Sequence, residues 1–261
     1  MSTLAQRIQV NVADDRVVLS VDQPDRVALR RLGFWSALIT ALFGLGYGLT
    51  VILMVISNPS SGEAATGWQG IEVYRAGFRP ALMLPLYPSL LLVPAFAALM
   101  VCVHYYTAPA KRIWSHIALA YTAIYAGMAV INYSTQLLSV QRALLTGETD
   151  GLSMLVHGNP HAIFWSLVTA YVFMNLAMLF AVPVFTGGRL EQWIRRLFML
   201  NGLSVIVTIA SIVMDNPMVF MLGSLVIWCP LFTAATALLV VLFIRLDVGE
   251  RSECGDHRSP A

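Results

Sequence analysis

The residues with the most chemistry to offer lie between Ile113 and Phe185. Asn132-Tyr133-Ser134-Thr135-Gln136, Gln141-Arg142 and His157-Gly158-Asn159-Pro160-His161 form the densest polar cluster in an otherwise oily chain. Amides, phenols and imidazoles recognise small molecules by hydrogen bonding, and in hydrocarbon they cost free energy until they find a protein group, water or a ligand. Steps of three, four or seven place Tyr121, Tyr125, Asn132, Gln136 and Ser139 on one helix face. The same spacing aligns His161, Trp165, Thr169, Val172 and Asn175 on a second helix, and Asn201, Ser204, Thr208, Ser211 and Asp215 on a third. The expected site is a polar pocket built from Asn132, Tyr133, Gln136, His157, Asn159, His161, Trp165 and Asp215. For any one residue a structural hydrogen bond between helices, worth roughly 0.6 kcal/mol, has an equal claim. The convergence of three stripes favours the pocket.

Other chemistries fit less well. His157 and His161 are four apart, the spacing of two metal ligands on one helix turn, but Gly158 and Pro160 lie between them. Capping or hydrogen bonding is therefore the better reading than a metal site. His104 and His116 flank one short loop and do not offer the facing positions that a bis-histidine haem needs. Ser134 and Ser139 lack a nucleophile elbow and a placed His–carboxylate pair. No Asp or Glu falls in the middle of an apolar stretch, which argues against a proton pump and for a neutral cavity. No metal or cofactor is expected.

These residues must be positioned by membrane helices. The chain is 58% hydrophobic and 11% charged, with a mean hydropathy of +0.73, where soluble domains carry roughly 25% charged residues. Six apolar stretches each approach the roughly 20 residues that cross a bilayer. They cover about 32–56, 81–105, 113–138, 162–185, 197–214 and 218–244. The expected fold is all-α, a polytopic six-transmembrane-helix bundle. It divides into an N-terminal segment (1–31), a transmembrane domain (32–245) and a polar tail (246–261). The absence of a basic groove excludes a nucleic-acid partner. Membrane lipid and a small ligand are the expected partners.

Along the chain, residues 10–21 have a strand-like composition that suits a short hairpin or a disordered tail, and no cleavable signal pattern precedes the first apolar stretch. Ser36, Thr40, Gly44 and Gly48 form a small-residue stripe suited to close helix packing. Trp68, Tyr74 and Phe78 suit an interfacial anchor or a lid. Pro85, Pro88 and Pro94 predict a bend in the second helix. The third helix runs toward Leu145, with Gly147 as its stop, and residues 152–156 form a short surface or re-entrant helix. Asn159-Pro160 suits the start of the fourth helix. Cys102 and Cys229 read as buried apolar residues. The N-terminal segment, the second and fourth loops and the tail hold 13 Lys and Arg, against Arg75, Arg79 and Arg142 on the other side. The positive-inside rule then places both termini in the cytoplasm of the cell (inner) membrane.

His104-Tyr105-Tyr106-Thr107, Asn132-Tyr133 with Gln136, Gly147-Glu148 with Gly151-Leu152, and Asn159-Pro160-His161 resemble an uncharacterised family of prokaryotic multi-helix integral membrane proteins. The resemblance covers the second to the fourth helix and implies no established activity. The stretch around Ala162 and Thr169–Tyr171 departs from the glycine and acidic residue expected of that family, which removes carboxylate chemistry there. The functional expectation is binding, sensing or passage of a small ligand through the outer half of the bundle. The rivals are a membrane-embedded enzyme acting on a lipid or isoprenoid, and a structural subunit of a membrane complex.

Overall fold

The computed structural model describes residues 23–57, 68–156, 159, 162–163, 167–214 and 217–255. The hairpin expected at 10–21 lies outside them. Six helices are long and apolar enough to span a bilayer: Arg26–Ser57, Pro80–Tyr106, Pro109–Thr146, Leu167–Val184, Arg189–Val213 and Ser224–Leu246. The protein is an all-helical multi-span membrane bundle. Each span packs on its neighbours in sequence, and the sixth returns to the first, so the six form a closed ring.

The seam between the first and sixth spans uses the small-residue stripe. A Cβ on Gly44 would sit 3.2 Å from the Phe232 ring, and one on Gly48 would sit 2.8 Å from Cys229 Sγ. The Cys229 thiol donates to the Gly44 carbonyl at 3.3 Å. Between lipid-soluble helices there is little hydrophobic drive, so contact of this closeness supplies the attraction. Cys102 and Cys229 are both buried free thiols.

Inside the ring, aromatic side chains from five spans meet. Phe96 packs edge-on to Tyr125 at 5.7 Å, and tilted against Phe232 at 5.7 Å. Trp228 stacks on Phe232 at 4.7 Å and meets Tyr47 and Tyr171 edge-on at 5.7 and 5.8 Å. Edge-on and offset stacked arrangements suit the ring quadrupoles. This hub fixes the spans laterally at mid-height.

Several helix boundaries differ from the sequence expectation. The first helix begins at Gln23 and the last continues to Gly255. Apolar composition reports bilayer thickness, whereas a helix continues for as long as its backbone is better bonded that way. The fifth helix starts at Arg189. Its first turns are amphipathic, with Ile194 and Phe198 buried and Arg196 over the Trp193 ring at 5.1 Å. The second span begins with a 3-10 turn at Pro80–Met83 and becomes α-helical at Leu86–Tyr106. Pro85 and Pro88 therefore occupy its start, where the first backbone N–H groups have no helical partner to lose. Pro94 alone lies in the helix interior. Thr135–Val140 and Ser224–Trp228 run as π-helix, a distortion frequent at functional sites.

At the end of the bundle away from Arg30, Arg112 and Arg189, the loops form a cap. The helix Ile71–Gly77 and residues 78–83 pack on Val140, Leu144, Leu152 and Val156 in a second apolar cluster. Gly147 ends the third span with φ 88°, which favours glycine. Arg75 lies against it, so its charge sits at the negative end of the helix dipole. Thr149 donates to Glu72 at 2.9 Å across the same contact.

Candidate functional site

The expected pocket residues divide into two sets. Gln136, fully buried in the π segment of the third span, donates its side-chain amide to the Leu155 carbonyl at 2.6 Å. Asn159 donates its amide to the Ser153 carbonyl at 2.8 Å. Both therefore tie down the cap turn Leu152–Met154. The Asn159 carbonyl, at the expected opening of the fourth helix, accepts the Ala162 N–H, and Ile163 is helical; farther on, the fourth span runs as a 3-10 turn at Leu167–Thr169 and an α-helix at Ala170–Ala181. Burial pushes the Tyr74 phenol of the cap up to about 12, so it remains neutral at any physiological pH. His157, His161, Trp165 and Asp215 lie outside the described residues.

Asn132 and Tyr133 point into the bundle instead. The Asn132 side chain is buried, and its Oδ1 has no hydrogen-bond partner among the described residues. Tyr133 shares a short hydrogen bond with the Tyr171 hydroxyl of the fourth span, and the Ser89 hydroxyl lies beside both phenols. Tyr47 of the first span shares a hydrogen bond of 2.9 Å with Ser224 of the sixth. Five hydroxyls from five elements thus gather beside the aromatic hub.

Next to them is an interior cavity between the fourth, fifth and sixth spans. Tyr171, Asn175, Ser204, Thr208, Ser224 and Trp228 supply its polar walls, and Val207, Phe220 and Gly223 its less buried side. The centre of a water-sized group has about 10 Å³ in which to move there, enough for one such group. Asn175 is 1% exposed and Trp228 is 5% exposed. Among the described residues, neither Asn175 Oδ1 nor Trp228 Nε1 has a partner. Of the buried polar atoms left without a bond, these are the two on the cavity wall. One is an acceptor and the other a donor, the two complements of a hydroxyl group.

The backbone makes this arrangement possible. The π turn Ser224–Trp228 carries Ser224 and Trp228 on the cavity side of the sixth span. Asn201 donates to the Trp228 carbonyl at 3.2 Å, which supports the distorted turn from the fifth span. Ser204 interrupts the fifth helix between Leu203 and Val205, and its hydroxyl donates back to the Asn201 carbonyl at 2.6 Å. Sequence spacing aligned Asn175, Ser204 and Thr208 on their stripes, but it did not join them to Ser224 and Trp228 of the sixth span. Tyr47 and Tyr171 were missed; a hydroxylated aromatic in mid-span was the available signal.

Among the described residues no three His, Cys, Asp or Glu side chains gather. The His104 and His116 rings are in contact at 4.4 Å, and His104 Nδ1 lies 2.9 Å from Ser115 Oγ. Imidazoles stacked on each other do not flank a porphyrin.

A six-span all-α membrane bundle with a buried hydroxyl- and amide-lined cavity is the class that fold and site define. No protein-family model, curated protein or solved structure matches the chain.

Proposed function

We propose that this is a prokaryotic cytoplasmic-membrane protein that binds a small neutral or amphipathic molecule by its hydroxyl group, in order to sense it or pass it on. The observation that carries this reading is the Asn175 Oδ1 and Trp228 Nε1 pair, buried and without partners on one cavity wall. A buried indole N–H ordinarily finds an acceptor. A hydroxyl group can accept from Trp228 Nε1 and donate to Asn175 Oδ1, and a water-sized group is what the cavity admits. The lack of a described carboxylate at mid-span keeps the site neutral. Membership of the resembled prokaryotic family is part of the same proposal.

Native mass spectrometry of protein extracted from membranes in mild detergent tests the site. Wild-type protein should carry a bound small molecule. Asn175→Leu should lose it while keeping or slightly raising thermal stability, because the isostere removes a buried orphan acceptor. Gln136→Leu should retain the molecule and lose about 1 kcal/mol of stability, because it strands the Leu155 carbonyl. The opposite pattern, retention in Asn175→Leu and loss in Gln136→Leu, would move recognition to the cap.

In the same proposal both termini face the cytoplasm, on the strength of 13 basic residues against 3. A cysteine in place of Ser60 should react with a membrane-impermeant thiol reagent in whole cells, and Cys254 should be protected. Reversed labelling would invert the topology.

A further inference from the structure

We infer that the groove between the first and sixth spans at the arginine-bearing end is a binding site for an anionic phospholipid. It is an open groove of about 180 Å³, lined by Arg30, Arg31, Phe34, Trp35, Phe243 and Ile244. The groove is distinct from the interior cavity and does not depend on what that cavity binds.

The groove arises from the sequence of the seam. Gly33 has no side chain, and a Cβ there would lie 2.5 Å from the Phe243 ring. Phe243 is therefore fully buried against the first helix and forms the floor. Phe34 and Trp35 stand edge to face at 5.2 Å and make one wall. Arg30 is half-buried and Arg31 exposed at the mouth. The carboxylates with described side chains are Glu72, Glu148, Asp150 and Glu191. Glu72 and Thr149 bond each other in the distant cap, and Glu191 accepts from Tyr106 and from the Thr186 and Gly187 N–H groups. Arg31 makes no ion pair with any of these four carboxylates and places an exposed guanidinium at the groove mouth.

The ligand that fits carries a phosphate and two acyl chains. Guanidinium groups bind phosphate through paired N–H donors. Basic pockets between spans at a membrane surface select anionic head groups. Trp35 is 57% exposed, and Leu32, Ile39 and Leu42 are 52%, 38% and 56% exposed along the same helix. That lipid-facing strip begins at the arginines and runs into the bilayer. It gives acyl chains a surface to lie on, which a free phosphate ion would not use. Trp35 follows the arginines by one helical turn, and indole rings favour the head-group layer.

The test uses the full chain, delipidated in detergent and titrated separately with dioleoyl phosphatidylglycerol, dioleoyl phosphatidylcholine and inorganic phosphate. Native mass spectrometry counts bound lipid, and melting reports stabilisation. Phosphatidylglycerol should bind in preference to phosphatidylcholine, and phosphate should not displace it. Arg31→Gln should weaken phosphatidylglycerol binding about fivefold, and the Arg30→Gln/Arg31→Gln pair should weaken it further. Arg30→Lys/Arg31→Lys should bind within a few-fold of wild type. If the double glutamine variant does not fold, Arg31→Gln alone, at an exposed position, should show the fivefold loss. Equal binding of the two lipids, displacement by phosphate, or undiminished binding in Arg31→Gln would each overturn the site.

Discussion

Gly202→Val should destabilise the protein by about 2–3 kcal/mol, seen as a fall in melting temperature in detergent and in folded yield. Gly202 is buried where the fifth span crosses the fourth. A Cβ there would lie 2.9 Å from Leu179 Cβ, 3.1 Å from Leu179 Cα and 3.1 Å from the Asn175 carbonyl oxygen. These are backbone atoms or atoms bound directly to backbone, so no rotamer change relieves the clash and one helix must move. Overpacking costs about 1–3 kcal/mol where neighbours can partly yield. Here they cannot, and the advantage of about a few tenths of a kcal/mol that valine has over glycine in helix propensity offsets little of it. Gly202→Ala should cost less, because its single methyl is the whole intrusion. The displaced helix carries Asn175, so a surviving Gly202→Val fraction should also lose the co-purifying molecule. An unchanged melting temperature would mean that the two helices do not cross this closely.

Phe232→Ala should cost about 2 kcal/mol, less than the same change in a water-soluble core. Phe232 is fully buried and touches both Trp228 and Phe96. Large-to-small substitutions lose a transfer term and a cavity term, the latter about 24 cal/mol per Å³ of space left. A separated helix in a bilayer keeps its phenyl ring in hydrocarbon, so the transfer term largely vanishes. The cavity of roughly 100 Å³ left by the ring then accounts for about 2 kcal/mol. Phe232→Leu should cost under about 1.5 kcal/mol. Reversible unfolding of both variants in mixed micelles measures these values. A loss above about 4 kcal/mol would show that the ring becomes exposed to water on unfolding. A loss near zero would show that the hub does not hold the spans.

What the sequence made legible was whatever a single helix decides for itself. Span number follows from apolar length, and the Ser36–Gly48 stripe follows from small residues at helical spacing. Gly147 followed from its place after a polar helix end. What stayed hidden depends on how different helices meet. Period 3.6 shows that Asn175 and Ser204 each lie on a polar stripe, but not that the two stripes face the same void. The π turns at Thr135–Val140 and Ser224–Trp228 also rotate the faces that a regular helix would present, so residues beyond them shift off the expected stripe. Gln136 illustrates the result: its position on the inward face was legible, but its bond to the Leu155 carbonyl was not, because that bond depends on a loop folding back. Of the prolines of the second span, Pro85 and Pro88 fall at its start and Pro94 in its interior, and their effect depends on which turn of the helix they occupy.

Each span leaves the insertion machinery beside the one it will pack against, because neighbours in the ring are also neighbours in sequence. Five of the six interfaces can therefore form during synthesis, with short loop closures and little search. The exception is the seam of Gly33, Gly44 and Gly48 against Phe243, Phe232 and Cys229, which joins the beginning of the ring to its end. Until the sixth span arrives, the glycine face of the first is open to lipid or to another chain. The seam therefore acts as the latch of biogenesis, and the interval before it shuts is when quality-control factors can distinguish a nascent bundle from a finished one.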